Sequence, residues 1–121
     1  MEEAFLLSDQ AASKGIVSIS KANGTDYVLL QTIEGLTVIN FKTKKAEMVI
    51  KSTNWSKKLP LFYSVGLKSI IVITDDARTV LQYKPAKISG SSPFKDKPTR
   101  YTLDETVSEV NIFTQRIHIY I

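Results

Sequence analysis

The chain has 121 residues, enough for one domain with a hydrophobic core of its own. At 43% hydrophobic and 23% charged it has the composition of a soluble globular protein, and no apolar run approaches the roughly 20 residues of a membrane helix. The absence of cysteine excludes a disulfide framework and a thiolate zinc site, and the acidic start Met1-Glu2-Glu3 is no secretory signal, so an intracellular protein is expected.

In chain order, residues 1–14 have no strong period and read as an arm, with one or two helical turns available between Glu2 and Ala12. Gly15 ends that arm, and residues 15–121 read as one β-domain. A short strand over 16–19 is followed by a turn at Asn23-Gly24, a pair of residues that both tolerate positive φ. Two strands, 27–33 and 36–41, flank a tight turn at Glu34-Gly35, and 46–51 follows the basic turn Lys42-Thr43-Lys44-Lys45. A polar loop carries the sole tryptophan, Trp55. Strands are then expected at 59–65, 69–74 and 79–83, with Pro60 near the start of the first, where a missing N–H is tolerated. Residues 85–99 hold Pro85, Pro93 and Pro98 with Ser89-Gly90-Ser91-Ser92, the composition of a mobile surface loop. The last strands are expected at 107–113 and 116–121.

The net charge of +4 is unevenly spread. Residues 42–58 carry Lys42, Lys44, Lys45, Lys51, Lys57 and Lys58 against Glu47, and residues 84–100 carry Lys84, Lys87, Lys95, Lys97 and Arg100 against Asp96. Each basic segment directly follows one of the strand pairs at 27–41 and 69–83.

Those two pairs form an internal repeat. At a shift of 42 residues, Val28-Leu29-Leu30 meets Ile70-Ile71-Val72, Thr32 meets Thr74, and Glu34 meets Asp76. Thr37-Val38-Ile39-Asn40-Phe41 meets Thr79-Val80-Leu81-Gln82-Tyr83, and Val107, Ile112 and Phe113 fall opposite Val65, Ile70 and Ile71. A unit of about 40–45 residues with three or four short strands is the period of a propeller blade. On these residues the chain resembles a segment of about two and a half blades of a WD40-like β-propeller over residues 15–121. The Trp-Asp end and the Gly-His start of such blades are missing: Asn40-Phe41 and Gln82-Tyr83 stand where the aromatic strand would finish. The resemblance implies an all-β, antiparallel, incomplete propeller that serves as a non-catalytic scaffold for protein partners, of the kind found in large nuclear and nucleolar assemblies, including those of ribosome biogenesis. Read from strand spacing and turn signals alone, a single β-sandwich or barrel is the alternative fold. Propellers close with at least roughly four blades, so the propeller reading requires a longer chain or a partner.

No residue pattern points to catalysis, a cofactor, a metal or a small-molecule substrate. His118 is the only histidine, with no nucleophile or acid placed beside it by any motif. Asp75-Asp76 lies in a hairpin turn, where aspartate is favoured, and the glycines are scattered among turns with no phosphate-cradling run. Two binding surfaces remain. The lysines Lys42, Lys44, Lys45, Lys57 and Lys58, with Trp55 between them as a stacking platform, define the alternative function, contact with an RNA backbone. The apolar strand ending in Ile117, Ile119 and Ile121 defines an edge for a partner chain or self-association.

Overall fold

The computed structural model describes residues 15–86, 92–113 and 116–120. The helical turns expected within 2–12, the centre of the loop expected over 85–99, and Ile121 lie outside the described residues. The described residues form ten strands: β1 (Ile16–Lys21), β2 (Tyr27–Thr32), β3 (Gly35–Asn40), β4 (Lys45–Lys51), β5 (Phe62–Ser64), β6 (Ser69–Ile73), β7 (Thr79–Tyr83), β8 (Thr99–Thr102), β9 (Glu109–Phe113) and β10 (Arg116–Tyr120). No helix occurs among the described residues.

The strands make two four-stranded antiparallel meanders, β1-β2-β3-β4 and β5-β6-β7-β8, and a two-stranded hairpin of β9 and β10. Neither meander closes into a barrel, so of the alternative fold, a β-sandwich or barrel, only the barrel is set aside. Each strand pairs with its chain neighbour, because hairpin turns join antiparallel strands without a crossover. The sequence pattern located nine of the ten strands. It missed β8, whose residues Thr-Arg-Tyr-Thr are mostly exposed and follow Pro98, so no apolar alternation marks them. The strand expected from residue 59 begins at Phe62, since Pro60 has no N–H and the Leu61 N–H is bonded to Gln31 rather than to a neighbouring strand.

Register and pleat assign the faces. Leu29, Val38 and Met48 form one cross-strand row of the first sheet, and Gln31, Leu36 and Ile50 form the next row on the same face. In the second sheet, Ile70 and Tyr83 form one row and Val72 and Leu81 another. These residues join Trp55, Leu61 and Phe94 in a single core shared by the two sheets. Burying one such aliphatic side chain is worth about 1.5–3 kcal/mol, and the shared core holds the sheets face to face. All residues of β6 and β7 are buried, the reason their sequences lack alternation. On the far face of the first sheet, the row Ile19, Leu30, Thr37 and Val49 has Leu30 buried, with Ile19 and Val49 55% and 56% exposed.

The 42-residue shift holds across the second strands of the two sheets but not the third. Thr32 pairs with Gly35, whereas the Thr74 N–H donates to the Thr79 carbonyl at 3.1 Å. The second turn is therefore two residues longer, and Gly35 corresponds to Thr79, 44 residues on. The sequence alignment of Thr37 with Thr79 is thus displaced by two along the strand. An even displacement keeps every side chain on its face, so the apolar match survived the error.

Gly35 has φ of +133°, and an added Cβ would lie 2.0 Å from the Ile50 carbonyl oxygen and 2.9 Å from the Ser52 nitrogen. Gly24 also has positive φ, at +84°, but open space around it. Gly35→Ala is expected to cost about 3 kcal/mol or more by denaturant unfolding and Gly24→Ala about 1 kcal/mol. Equal losses would contradict the close approach of β4 to the Gly35 turn.

Candidate basic interface

Alternating strand direction places the β1–β2 and β3–β4 turns at one end of the first sheet, and the β5–β6 turn and β7–β8 connection at one end of the second. Ring contacts bring these two ends together. Phe94, in the β7–β8 connection, is buried and meets Tyr27 edge-on at 6.3 Å between centroids and Tyr63 at 6.2 Å. Phe94 is held there because the Ala86 N–H donates to the Pro93 carbonyl at 3.1 Å and the Lys95 N–H to the Lys84 carbonyl at 2.8 Å. The segment expected as a mobile loop over 85–99 therefore carries a core anchor and, at Thr99, the start of β8.

Lysine dominates this joint end. In the β3–β4 turn, the Lys42 and Thr43 N–H groups donate to Asn40 Oδ1 at 3.0 and 3.2 Å, and the Lys44 N–H to the Asn40 carbonyl at 2.8 Å. Lys44 adopts positive φ to close the turn, which projects Lys42, Lys44 and Lys45 into solvent. The Phe41 ring is covered by two ammonium groups, Lys21 Nζ at 5.2 Å and Lys44 Nζ at 5.8 Å, contacts worth about 0.5–1 kcal/mol each at exposed positions. Lys42 Nζ lies 3.4 Å from Asp26, an exposed pair contributing at most about 1 kcal/mol. The second sheet adds exposed Lys68, Lys84, Lys95 and Lys97, with Arg100 one residue into β8. The acidic residues described near this end are Asp26, Glu47 and Asp96. An open cleft of about 500 Å³ lies here, lined by Ala86, Ser92, Phe94, Lys95, Asp96 and Lys97.

The expected site thus divides. Lys42, Lys44 and Lys45 stand together at the lysine end. Lys57 and Lys58 are exposed in the β4–β5 linker at the opposite end, where Trp55 bridges to Thr74 and the Asp75 N–H donates to the Asn54 carbonyl at 2.8 Å. Trp55 is not a stacking platform: it is 4% exposed and its ring meets Tyr83 edge-on at 6.0 Å. A tryptophan in a polar loop reads as a surface aromatic, but here the loop folds across the core. Ile117 and Ile119 lie on β10, which pairs with β9 in full register.

Two polar groups fix this geometry: Gln31, which motif reading passed over, and Asp76, which it placed in a hairpin turn, as the structure shows. Gln31 is buried at 1% exposure; its amide donates to the Ser56 carbonyl at 3.1 Å and its carbonyl accepts the Leu61 N–H at 2.8 Å. A lone glutamine beside buried leucines in β2 was the available signal, because a polar side chain there needs partners. At the β6–β7 turn, Asp76 accepts bonds from the Thr74 hydroxyl, the Arg78 N–H at 2.9 Å and the Thr79 N–H at 3.3 Å. These bonds, led by the Thr74 hydroxyl, hold its carboxyl below the ordinary aspartate value. Among the described residues there is no group of three or more metal-ligating side chains, and no helix is long and apolar enough to cross a membrane. No family model matches the chain, and no curated protein or solved structure matches it.

Gln31→Leu strands the Ser56 carbonyl and the Leu61 N–H in the core and is expected to lower unfolding stability by about 2–4 kcal/mol. A cost below ~1 kcal/mol would mean that the linker finds other partners. For Asp76, a lowered carboxyl pKa favours the folded state above the unfolded pKa, and that contribution is lost as pH falls from about 4 through the lowered value. Asp76→Asn is therefore expected to flatten the acid limb of a stability profile below about pH 4, with the neutral limb parallel to that of the parent chain. An unchanged acid limb would remove Asp76 from the pH response.

Proposed function

We propose that the chain is a non-catalytic scaffold module that binds other proteins. Its meanders act as successive blade-like units of an incomplete propeller, and its β9–β10 hairpin is completed by strands from a partner. The observation that carries this reading is the serial plan: two four-stranded antiparallel meanders with a common core, followed in the chain by one further hairpin. A two-stranded hairpin has marginal stability by itself, and main-chain pairing at its edge supplies what it lacks. Ile117 and Ile119, on β10, are the proposed partner edge, together with Ile121. Residence in a large nuclear or nucleolar assembly rests on the WD40-like resemblance alone. The RNA-binding alternative draws support from the lysine end but loses Trp55 as its base platform.

The test is native mass spectrometry of the tagged chain isolated gently from its own cells, with and without nuclease, beside an Ile119→Lys variant. A stoichiometric protein complex that resists nuclease and loses occupancy in the variant is expected. A free monomer, or a complex dispersed by nuclease, would overturn the scaffold reading.

A further inference from the structure

We infer that the lysine end of the two sheets is a docking surface for an acidic polypeptide segment that carries an apolar side chain among its carboxylates. The inference rests on the protein-binding reading above and specifies the chemistry of a partner. Three observations point to it. First, the two lysine groups stand at adjoining ends of the two sheets. Lys42 pairs with Asp26, Asp26 is followed by Tyr27, and Tyr27 contacts Phe94, which is flanked in sequence by the segment of Lys95 and Lys97. A run of about six extended residues, at ~3.4 Å each, reaches across two sheets stacked ~10 Å apart. Second, the cleft of about 500 Å³ has Ala86 and Phe94 for apolar lining and Lys95 and Lys97 beside them. An aliphatic side chain entering it would leave the flanking carboxylates within reach of ammonium groups. Third, two rings that stand among these lysines are covered. Phe41 lies beneath Lys21 and Lys44, and Phe94 is 3% exposed. Single-stranded nucleic acid gains much of its affinity from bases stacked on aromatic faces, and neither Phe41 nor Phe94 presents an open one. A second copy of the chain is disfavoured as well, because matching ends would oppose lysine to lysine.

The experiment is fluorescence anisotropy with a labelled peptide of alternating Glu and Asp around a central Leu. Its comparators are the same peptide with Ser in place of Leu and a single-stranded oligonucleotide of equal charge. The expected result is saturable peptide binding that weakens as salt rises from about 50 to 200 mM and weakens several-fold on loss of the Leu. The triple variants K42E/K44E/K45E and K84E/K95E/K97E should each lose roughly tenfold or more in affinity, and K57E/K58E, at the opposite end, should stay within about twofold of the parent. Thermal melts confirm that each variant is folded, and the corresponding Lys→Gln triples serve if a charge reversal is not. Absence of saturable binding, an equal loss in K57E/K58E, or tighter binding of the oligonucleotide than of the peptide would each overturn the inference. A native protein complex that persists undiminished in both triple variants would also overturn this docking surface while leaving the scaffold reading standing.

Discussion

The carboxamide of Gln31 sits in the core with no water to turn to, and folding must satisfy both of its ends at once. It does so by taking the Ser56 carbonyl and the Leu61 N–H, the two sides of the linker that carries the chain from the first sheet to the second. A buried amide left unpaired costs about 1–3 kcal/mol, so the linker has one favoured path. That path seats Trp55 on Tyr83, sets Leu61 into the core and starts β5 where it can pair with β6. The way the second sheet lies on the first follows from this one side chain and the apolar rows it sits among.

Once the sheets are stacked in that sense, their ends acquire different electrostatic characters. Hairpin turns alternate between ends, so residues far apart in sequence gather at one of them: the lysines of the β3–β4 turn, Lys68 and the lysines of the β7–β8 connection. At the other end Lys51, Lys57, Lys58 and Arg78 are interleaved with Glu34, Asp75, Asp104 and Glu105. Summed over several groups, one-sided charge of this kind raises the local concentration of anionic partners and speeds encounter more than it adds to stability.

The two sheets are related but not interchangeable. Their second strands correspond at one shift and their third strands at another, because the turn containing Asp76 is longer than the one at Glu34-Gly35. The shorter turn relies on a glycine whose α-carbon has backbone against it; the longer relies on a carboxylate that gathers a hydroxyl and two N–H groups. The burial differs too: β6 and β7 are enclosed on both faces, while the first sheet exposes Ile19 and Val49 on its far face.

The all-β character, nearly every strand and the hairpin turns were legible in the sequence, because an alternating pattern and a Gly or Asp turn are local properties that a short window contains. Asn23-Gly24 and Glu34-Gly35 announced their turns for that reason. β8 escaped because an exposed edge strand after a proline needs no apolar pattern to pair with β7. The candidate surface was only half legible. Lys42, Lys44 and Lys45 were adjacent in the chain, but their union with Lys95 and Lys97, their separation from Lys57 and Lys58, and the burial of Trp55 depend on which sheet ends coincide. That was decided by packing through space, where side chains from different sheets meet and a buried glutamine must find its partners, and no one-dimensional pattern carries those distances.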